Sequence, residues 1–150
     1  MAKGAAVNLN MRVLVLCTGN SCRSQMAEGF LRRLRPDWEI YSAGTFPADQ
    51  VHPLTIQVMA EAGVDISRQR PKSVDQFISQ PFDYVITVCD DARETCPAFT
   101  GEVAQRLHMS FEDPAMVSGS EEKVLAVFRR VRDEIGEGIG KVVEEVSGRV

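Results

Sequence analysis

The chain has 150 residues, 44% of them hydrophobic, and this length and composition suit one globular domain with a single buried core. Its 17 basic and 21 acidic residues are scattered and give a net charge of -4, which excludes the basic stripe of a nucleic-acid-binding protein. No apolar run is long enough for a signal-peptide core or a membrane span, so we expect a cytosolic protein that contacts no membrane.

The first predicted elements are a strand and a helix. Residues 1–10 are expected to form a flexible N-terminal extension, and residues 11–150 a single domain. The domain opens with MRVLVLC, an apolar, β-branched run typical of a strand buried on both faces of a parallel sheet, which ends at Cys17. A helix over SQMAEGFLRRLR follows and should end at Pro36. The apolar face of this helix carries Met26, Phe30, Leu31 and Leu34.

The central segments repeat this order of strand and helix. WEIYSAG predicts a second strand closed by Gly44, and HPLTIQVMAEAG predicts a second helix with Pro53 near its start and Gly63 as its C-terminal cap. FDYVITVC predicts a third buried strand that ends at Cys89. RLHMSF is a weaker candidate for a fourth strand, which would precede a turn at Asp113.

The C-terminal segment predicts a third helix from Glu121, capped by Ser118 or Ser120. Its apolar residues recur at helical spacing at Val124, Phe128, Val131 and Ile135. Three glycines at positions 136, 138 and 140 leave its continuation open. Alternating strands and helices indicate the α/β class, with an open, doubly wound parallel sheet that binds ligands beyond the carboxyl ends of its strands.

The first connection from strand to helix, CTGNSCRS, has the composition of an oxyanion site. Its backbone N–H groups can curl around an anion, and the helix N-terminus adds positive potential. Gly19 would permit the tight curvature, Arg23 offers a planar fork for two oxygens, and Ser21 or Ser24 can donate to a thiolate at Cys17. The expected substrate-binding residues are Thr18, Gly19, Asn20, Ser21, Cys22, Arg23 and Ser24. The alternative is that Cys17 is a buried small residue and Arg23 a solvated one.

VLCTGNSCRSQMAEG resembles the signature loop of low-molecular-weight phosphotyrosine phosphatases and, more closely, of the arsenate reductases that share their fold. YSAG, VHP, GVDIS and the Asp-Pro pair at Asp113 extend the resemblance over most of the domain. It implies a four-stranded parallel sheet flanked by helices. It further implies that Cys17 attacks a tetrahedral oxyanion, that Arg23 and loop amides bind this oxyanion, and that Asp113 protonates the leaving group. From the residues alone, Asp113 is a turn residue, and Glu112 competes for the role of acid.

Cysteine distribution separates the two branches of this family. The four cysteines are Cys17, Cys22, Cys89 and Cys96, and their spacings are too wide for the close C-x-x-C pairs of structural zinc sites, so zinc is disfavoured and no tightly bound cofactor is expected. Thiols can reduce sulfur-bound arsenic(V) but not phosphorus(V). The resemblance assigns a relay in which Cys17 forms an arsenic adduct, Cys89 attacks Cys17 and releases arsenite, and Cys96 attacks Cys89. Thioredoxin would then reduce the Cys89–Cys96 disulfide; glutaredoxin with glutathione, or another thiol, stays open.

The segment between the last two cysteines has a geometric constraint. If residues 90–95 are helical in the reduced protein, seven steps of about 1.5 Å place the two Cα atoms about 10 Å apart. A disulfide spans only about 4.4 to 6.8 Å, so we expect oxidation to unwind this helix. The alternative is that Cys89 packs in the core and Cys96 is a surface thiol.

Further candidates have both structural and functional interpretations. Cys22 is either a small packing residue or the partner of Cys17 in a reversible protective disulfide. His52 and His108 could activate a cysteine, but are better explained as a helix-start and a strand residue. The resemblance adds a structural potassium ion, with candidate ligands Asn20, Glu28, Ser42 and Asp65.

Three functions therefore remain open. An arsenate reductase that converts arsenate to arsenite for arsenic detoxification explains the most residues, with phosphate or sulfate as competing oxyanions and a weak phosphatase activity. A phosphatase acting on protein phosphotyrosine or small phosphoesters would need only Cys17, Arg23 and Asp113. Ala115 and Met116 stand where tyrosine-phosphatase relatives tend to carry aromatic residues, which argues against that substrate. The third is a non-catalytic oxyanion sensor. In each case we expect a monomer without nucleic acid.

Overall fold

A four-stranded, fully parallel sheet organises the computed structural model, which describes residues 11–90 and 99–148. The elements in chain order are β1 (Arg12–Cys17), α1 (Arg23–Leu34), β2 (Glu39–Gly44), α2 (Pro53–Glu61), β3 (Phe82–Thr87), β4 (Val103–His108) and α3 (Glu121–Ser147). Single turns of 3₁₀ helix lie at Val74–Gln76 and Pro114–Met116. The predicted α/β class is confirmed. The predicted N-terminal extension and Cys96, with most of the segment expected to unwind, lie outside the described residues.

The strand order β2-β1-β3-β4 places the apolar strand β1 at the centre. Cys17 pairs with Gly44 of β2, and Leu16 pairs with Thr87 of β3, so the carboxyl ends of three strands meet at one edge of the sheet. Side chains alternate between the two faces of β1. One face packs into the larger core cluster with residues of all three α-helices, and the other packs against Phe77 and Phe99.

Two strand boundaries differ from the prediction. Strand β3 ends at Thr87, so Cys89 lies two residues beyond the strand rather than at its end, although Val88 and Cys89 are both fully buried. Strand β4 covers 103–108 rather than 106–111. Strand β4 lies at the edge of the sheet and is largely exposed. Its sequence has no alternation of apolar residues that would predict a strand, and its backbone pairing with β3 sets its bounds.

Helix α1 has the predicted extent, but its burial differs from the predicted apolar face. All seven residues from Arg23 to Gly29 are buried, polar ones included, whereas Leu34 is 45% exposed. Gly29 permits this packing, because a Cβ there would lie 2.7 Å from Ile66. The N-terminal half of α1 is therefore an interior element rather than an amphipathic one.

Helix α2 begins at Pro53 as predicted, and Gly63 lies just past its end with a φ of 81°. Helix α3 begins after Ser120, whose hydroxyl accepts a hydrogen bond from the Lys123 N–H at 3.1 Å. It runs through the three glycines to Ser147, which answers the question that the sequence left open. None of the helices in the described part of the chain is long and apolar enough to cross a membrane.

Candidate active site

The loop between β1 and α1 forms a cavity of about 240 Å³, below the range of about 300 to 1,000 Å³ of sites for drug-sized ligands. Seven loop residues and one residue from beyond β4 line it: Cys17, Thr18, Gly19, Asn20, Ser21, Cys22, Arg23 and Asp113. The structure thus brings the predicted nucleophile, arginine and acid together. Of the predicted binding residues, Ser24 is absent from the lining and lies against Cys17 instead.

Two hydrogen bonds reach the sulfur of Cys17, which is a free thiol. The Asn20 backbone N–H donates to Sγ at 3.2 Å, and Ser24 Oγ lies 2.8 Å from it. Of the two serines considered, Ser24 is therefore the partner of Cys17, whereas Ser21 Oγ lies 3.7 Å from the sulfur of Cys22. Donors on sulfur stabilise a thiolate, which is the nucleophilic form of cysteine.

A buried hydrogen-bond chain connects Ser24 with Glu28. The Lys72 backbone N–H donates to Asn20 Oδ1 at 2.9 Å, which identifies the oxygen of that amide. Asn20 Nδ2 then donates to Ser24 Oγ at 2.7 Å and to Ser42 Oγ at 2.9 Å. Ser42 donates onward to Glu28 Oε1 at 2.6 Å. Because Ser24 accepts from Asn20 with one lone pair, its hydrogen is available to donate to the sulfur of Cys17 when that sulfur is a thiolate.

The curvature of the loop comes from Asn20 and not from Gly19, contrary to the prediction. Asn20 has a φ of 51° and is the one non-glycine residue of positive φ among those the structure describes. Gly19 has room for a side chain, since an added Cβ would lie 3.8 Å from its nearest neighbour. Gly44 is the glycine that the loop needs: a Cβ there would overlap the carbonyl of Thr18.

Arg23 and Asp113 face each other across the cavity. Arg23 is 3% exposed, with Nη2 3.5 Å from Asp113 Oδ2 and Nη1 donating to the Phe111 carbonyl at 3.3 Å. Asp113 also accepts a bond from the Ala115 N–H, which orients it at the start of the 3₁₀ turn. Glu112 pairs with Arg130 instead. Of these two acidic residues, Asp113 is therefore the one that lines the cavity.

The remaining described cysteines differ in state. Cys22 is a free, buried thiol, and burial raises its pKa to about 11, which suits the packing role. Cys89 is fully buried and disulfide-bonded. The Val88 N–H donates to the Leu16 carbonyl at 3.0 Å, so the residue before Cys89 lies beside the residue before Cys17.

Both histidines have structural contacts. His52 caps α2, with Nδ1 accepting from the Leu54 N–H at 3.1 Å, and its backbone N–H donates to the Ser21 carbonyl at 3.0 Å. His108 Nδ1 lies 2.7 Å from Thr87 Oγ1 between β4 and β3. These are the helix-start and strand positions that the sequence indicates.

The predicted potassium site does not assemble. Asn20, Ser42 and Glu28 lie in one network, but Asp65 is exposed and accepts a bond from the Ser67 N–H at 2.9 Å. Two side-chain cations already contact the Glu28 carboxylate, Arg32 at 2.8 Å and Lys72 at 3.8 Å. These residues do not fit a bound potassium ion. No group of three or more His, Cys, Asp or Glu within residues 11–90 and 99–148 could hold a metal ion.

Known proteins are similar to this chain in sequence and in fold. Residues 12–150 match the family model of the low molecular weight phosphotyrosine protein phosphatases. An arsenate reductase of Halalkalibacterium halodurans is 47% identical over 138 residues, which cover 91% of this chain and 98% of that protein. A solved arsenate reductase in the phosphate binding state is 32% identical, with a TM-score of 0.75 over 90% of this chain and 98% of that one. A thioredoxin-dependent arsenate reductase of Corynebacterium glutamicum is 27% identical, with a TM-score of 0.54 over 94% of this chain and 67% of that one. The chain belongs to the low molecular weight phosphotyrosine protein phosphatase family.

Proposed function

We propose that this protein is an arsenate reductase that converts arsenate to arsenite. The observation that carries the proposal is the position of Cys89, which follows β3 by two residues, next to the end of β1 that bears Cys17. Cys17 lines the cavity of the β1–α1 loop, and the disulfide-bonded Cys89 follows Val88, whose N–H donates to the Leu16 carbonyl of β1. A phosphatase needs the first thiol and has no use for the second. The likeness to proteins named arsenate reductase supports the same activity.

The reaction proceeds through thiol-disulfide exchange. The Cys17 thiolate displaces one oxygen of arsenate, which leaves as water after Asp113 supplies a proton, and a sulfur–arsenic(V) bond forms. The Cys89 thiolate attacks Cys17, the electron pair of the broken sulfur–arsenic bond passes to arsenic, and arsenite leaves. Cys96 then attacks Cys89, which frees Cys17. A dithiol of the thioredoxin class reduces the Cys89–Cys96 disulfide. Because the relay starts from reduced thiols, we place the protein in the cytoplasm.

Phosphate-ester hydrolysis is the second candidate, since the joint placement of Cys17, Arg23 and Asp113 would serve it equally. Two features argue against a phosphatase, and the first concerns aryl phosphates in particular. Met116, which follows the acid, is 76% exposed and gives no aromatic wall to the cavity. Cys89 would have no catalytic part in hydrolysis.

The test is arsenate-dependent NADPH consumption in the presence of thioredoxin and thioredoxin reductase. We expect turnover by the wild type, and a loss of at least about a hundredfold in each of Cys17→Ser, Cys89→Ser and Cys96→Ser, because each thiol forms a bond that the next step breaks. Replacing thioredoxin by glutaredoxin with glutathione identifies the reductant.

Hydrolysis of p-nitrophenyl phosphate by the same variants provides the control for folding. Cys89→Ser and Cys96→Ser should keep whatever hydrolysis the wild type shows, whereas Cys17→Ser should lose it. Hydrolysis that needs Cys17 alone, without any reduction of arsenate, would instead identify a phosphatase. Binding of arsenate with neither reaction would identify a sensor.

A further inference from the structure

Glu28 is a buried acid at the far end of the hydrogen-bond chain from Cys17. It is 3% exposed, and the three side chains between it and the sulfur, Ser42, Asn20 and Ser24, are fully buried. Burial of a carboxylate is costly unless opposite charge compensates for it. The chain therefore depends on whatever supplies positive charge to Glu28.

We propose that the ammonium group of Lys72 is the built-in counter-ion of Glu28 and, in place of a bound metal ion, keeps the hydrogen-bond chain directed toward Cys17. Lys72 is thus a positioning residue for the nucleophile. The inference rests on the proposed role of Cys17 as nucleophile, whichever reaction that nucleophile performs.

Lys72 contacts the chain at two points, its Glu28 end and its middle residue Asn20. Its Nζ lies 3.8 Å from Glu28 Oε1, the same oxygen that accepts from Ser42, while its backbone N–H holds the Asn20 amide. The backbone carbonyl of Lys72 accepts from the Gly44 N–H at 2.8 Å, and its ammonium also donates to the Arg70 carbonyl at 2.8 Å. These contacts fix the lysine at the end of β2, beside the oxyanion loop.

Arg32 is the other cation at Glu28, but its position is different. It binds Oε2, and its side chain is 49% exposed, whereas that of Lys72 is 25% exposed. Solvent screens an exposed ion pair more strongly than a half-buried one. Of these two cations, Lys72 is the less exposed one and the one paired with the oxygen that is part of the chain.

The negative charge on Glu28 determines the direction of the Ser42 bond. A carboxylate only accepts, so Ser42 must donate to it and accept from Asn20. Without the Lys72 charge, Oε1 of Glu28 loses the nearby cation that lies 3.8 Å from it, and the carboxylate is held less firmly against Ser42. The donor that Ser24 presents to the sulfur would weaken with it.

The experiment measures the rate at which iodoacetamide alkylates Cys17 in the reduced protein, identified by tandem mass spectrometry. The variants are Lys72→Met, which keeps the apolar stem and the backbone contacts, Lys72→Arg, and Arg68→Met as a control. Arg68 is an exposed cation on the same surface groove as Lys72. Each protein is measured in potassium chloride and in tetramethylammonium chloride at equal ionic strength.

We expect alkylation of the Lys72→Met protein to be slower by about tenfold, the effect of weakening one hydrogen bond to a charged sulfur. Lys72→Arg should stay within about threefold and Arg68→Met within about twofold of the wild type. In a Glu28→Gln background the Lys72→Met change should have almost no further effect, because its partner is gone. The wild type should react at the same rate in both salts.

Two results would overturn the proposal: a Lys72→Met protein that reacts as fast as the wild type, or a wild type that needs potassium to react. If Lys72→Met does not fold, the salt comparison on the wild type and the Lys72→Arg variant still decide. Alkylation needs neither arsenate nor a reductant. Its outcome is therefore separate from that of the turnover test.

Discussion

At the residue scale, Asn20 joins the anion loop and the buried hydrogen-bond chain. Its left-handed backbone turns the loop, its N–H donates to the sulfur of Cys17, and its side chain connects Ser24 with Ser42. Asparagine adopts this conformation more readily than most residues and offers both a donor and an acceptor. Asn20 therefore shapes the cavity through its backbone and connects the residues around the Cys17 thiol through its side chain.

The two cysteines of the loop should differ in reactivity. Burial raises the pKa of Cys22 to about 11, so at pH 8 only about one molecule in a thousand carries its thiolate, the form that alkylating agents attack. Cys17 lines the cavity and has two hydrogen-bond partners on its sulfur. Limited treatment of the reduced protein with iodoacetamide should label Cys17 at least about tenfold faster than Cys22.

The measurement is tandem mass spectrometry of the tryptic peptide 13–23, which contains both sites. Protein unfolded in urea is the control, because both cysteines should react there at similar rates. Equal labelling of the two sites in the folded protein would contradict the packing role of Cys22.

Which residues the sequence could identify depends on how far apart their partners lie. Cys17, Arg23 and Ser24 occur within one short motif, and the structure brings Cys17 and Arg23 to the same cavity. Lys72 is 52 residues from its partner Asn20 and lies in a polar stretch that resembles any exposed loop. The sequence feature that bears on the role of Lys72 is Glu28, an acidic residue of α1. The sequence does not show that Glu28 is buried and needs a positive charge beside it. Burial of that kind depends on tertiary packing and leaves no local pattern.

At the scale of elements, close packing explains why α3 continues through its glycines. A Cβ on Gly136 would lie 3.1 Å from the ring of Phe30 in α1, whereas a Cβ on Gly140 would have open space around it. Helix propensity counts both glycines as weak points. The sequence correctly placed the start of α3 at its serine cap, but it could not distinguish a glycine required by a neighbour from one that is not.

This difference predicts unequal effects of two similar substitutions on the free energy of unfolding. Gly140→Ala should raise the free energy of unfolding by about 0.5 to 1 kcal/mol, because alanine loses less conformational entropy in a helix and meets no obstacle here. Gly136→Ala should give less than half of that gain, or a loss, since the ring of Phe30 must move. Urea titration followed by circular dichroism measures both. Equal gains at the two positions would show that Phe30 does not constrain α3.

At the scale of the whole molecule, one histidine connects stability to pH. His52 caps α2, contacts the ring of Phe128 in α3, and holds the oxyanion loop through the Ser21 carbonyl. Burial lowers its pKa below the ordinary value of 6.5, and the nearby carboxylate of Asp113 opposes this shift only in part. Its Nδ1 accepts a hydrogen bond from the α2 backbone only while the ring is neutral there.

Stability should therefore fall as the pH is lowered through and below 6.5, because the unfolded chain takes up a proton that the folded chain resists. Above 6.5 this contribution is fully present. In His52→Asn the side chain can still cap α2 but does not titrate. Between about pH 7.5 and pH 5.5, the thermal midpoint of the wild type should fall by about 2 °C more than that of the variant. Parallel midpoints for the two proteins across this range would rule out His52 as the source.

The anion site is assembled from parts of the chain that lie far apart. Arg23 and the Phe111 carbonyl are 88 residues apart, and Asn20 and the Lys72 N–H are 52 apart. Synthesis proceeds from the N-terminus, so Cys17 leaves the ribosome long before the residues that complete its cavity. A nascent chain thus carries the thiol without the finished anion cradle. The complete site therefore needs contacts that can form only after residues 72 and 111 have been synthesised.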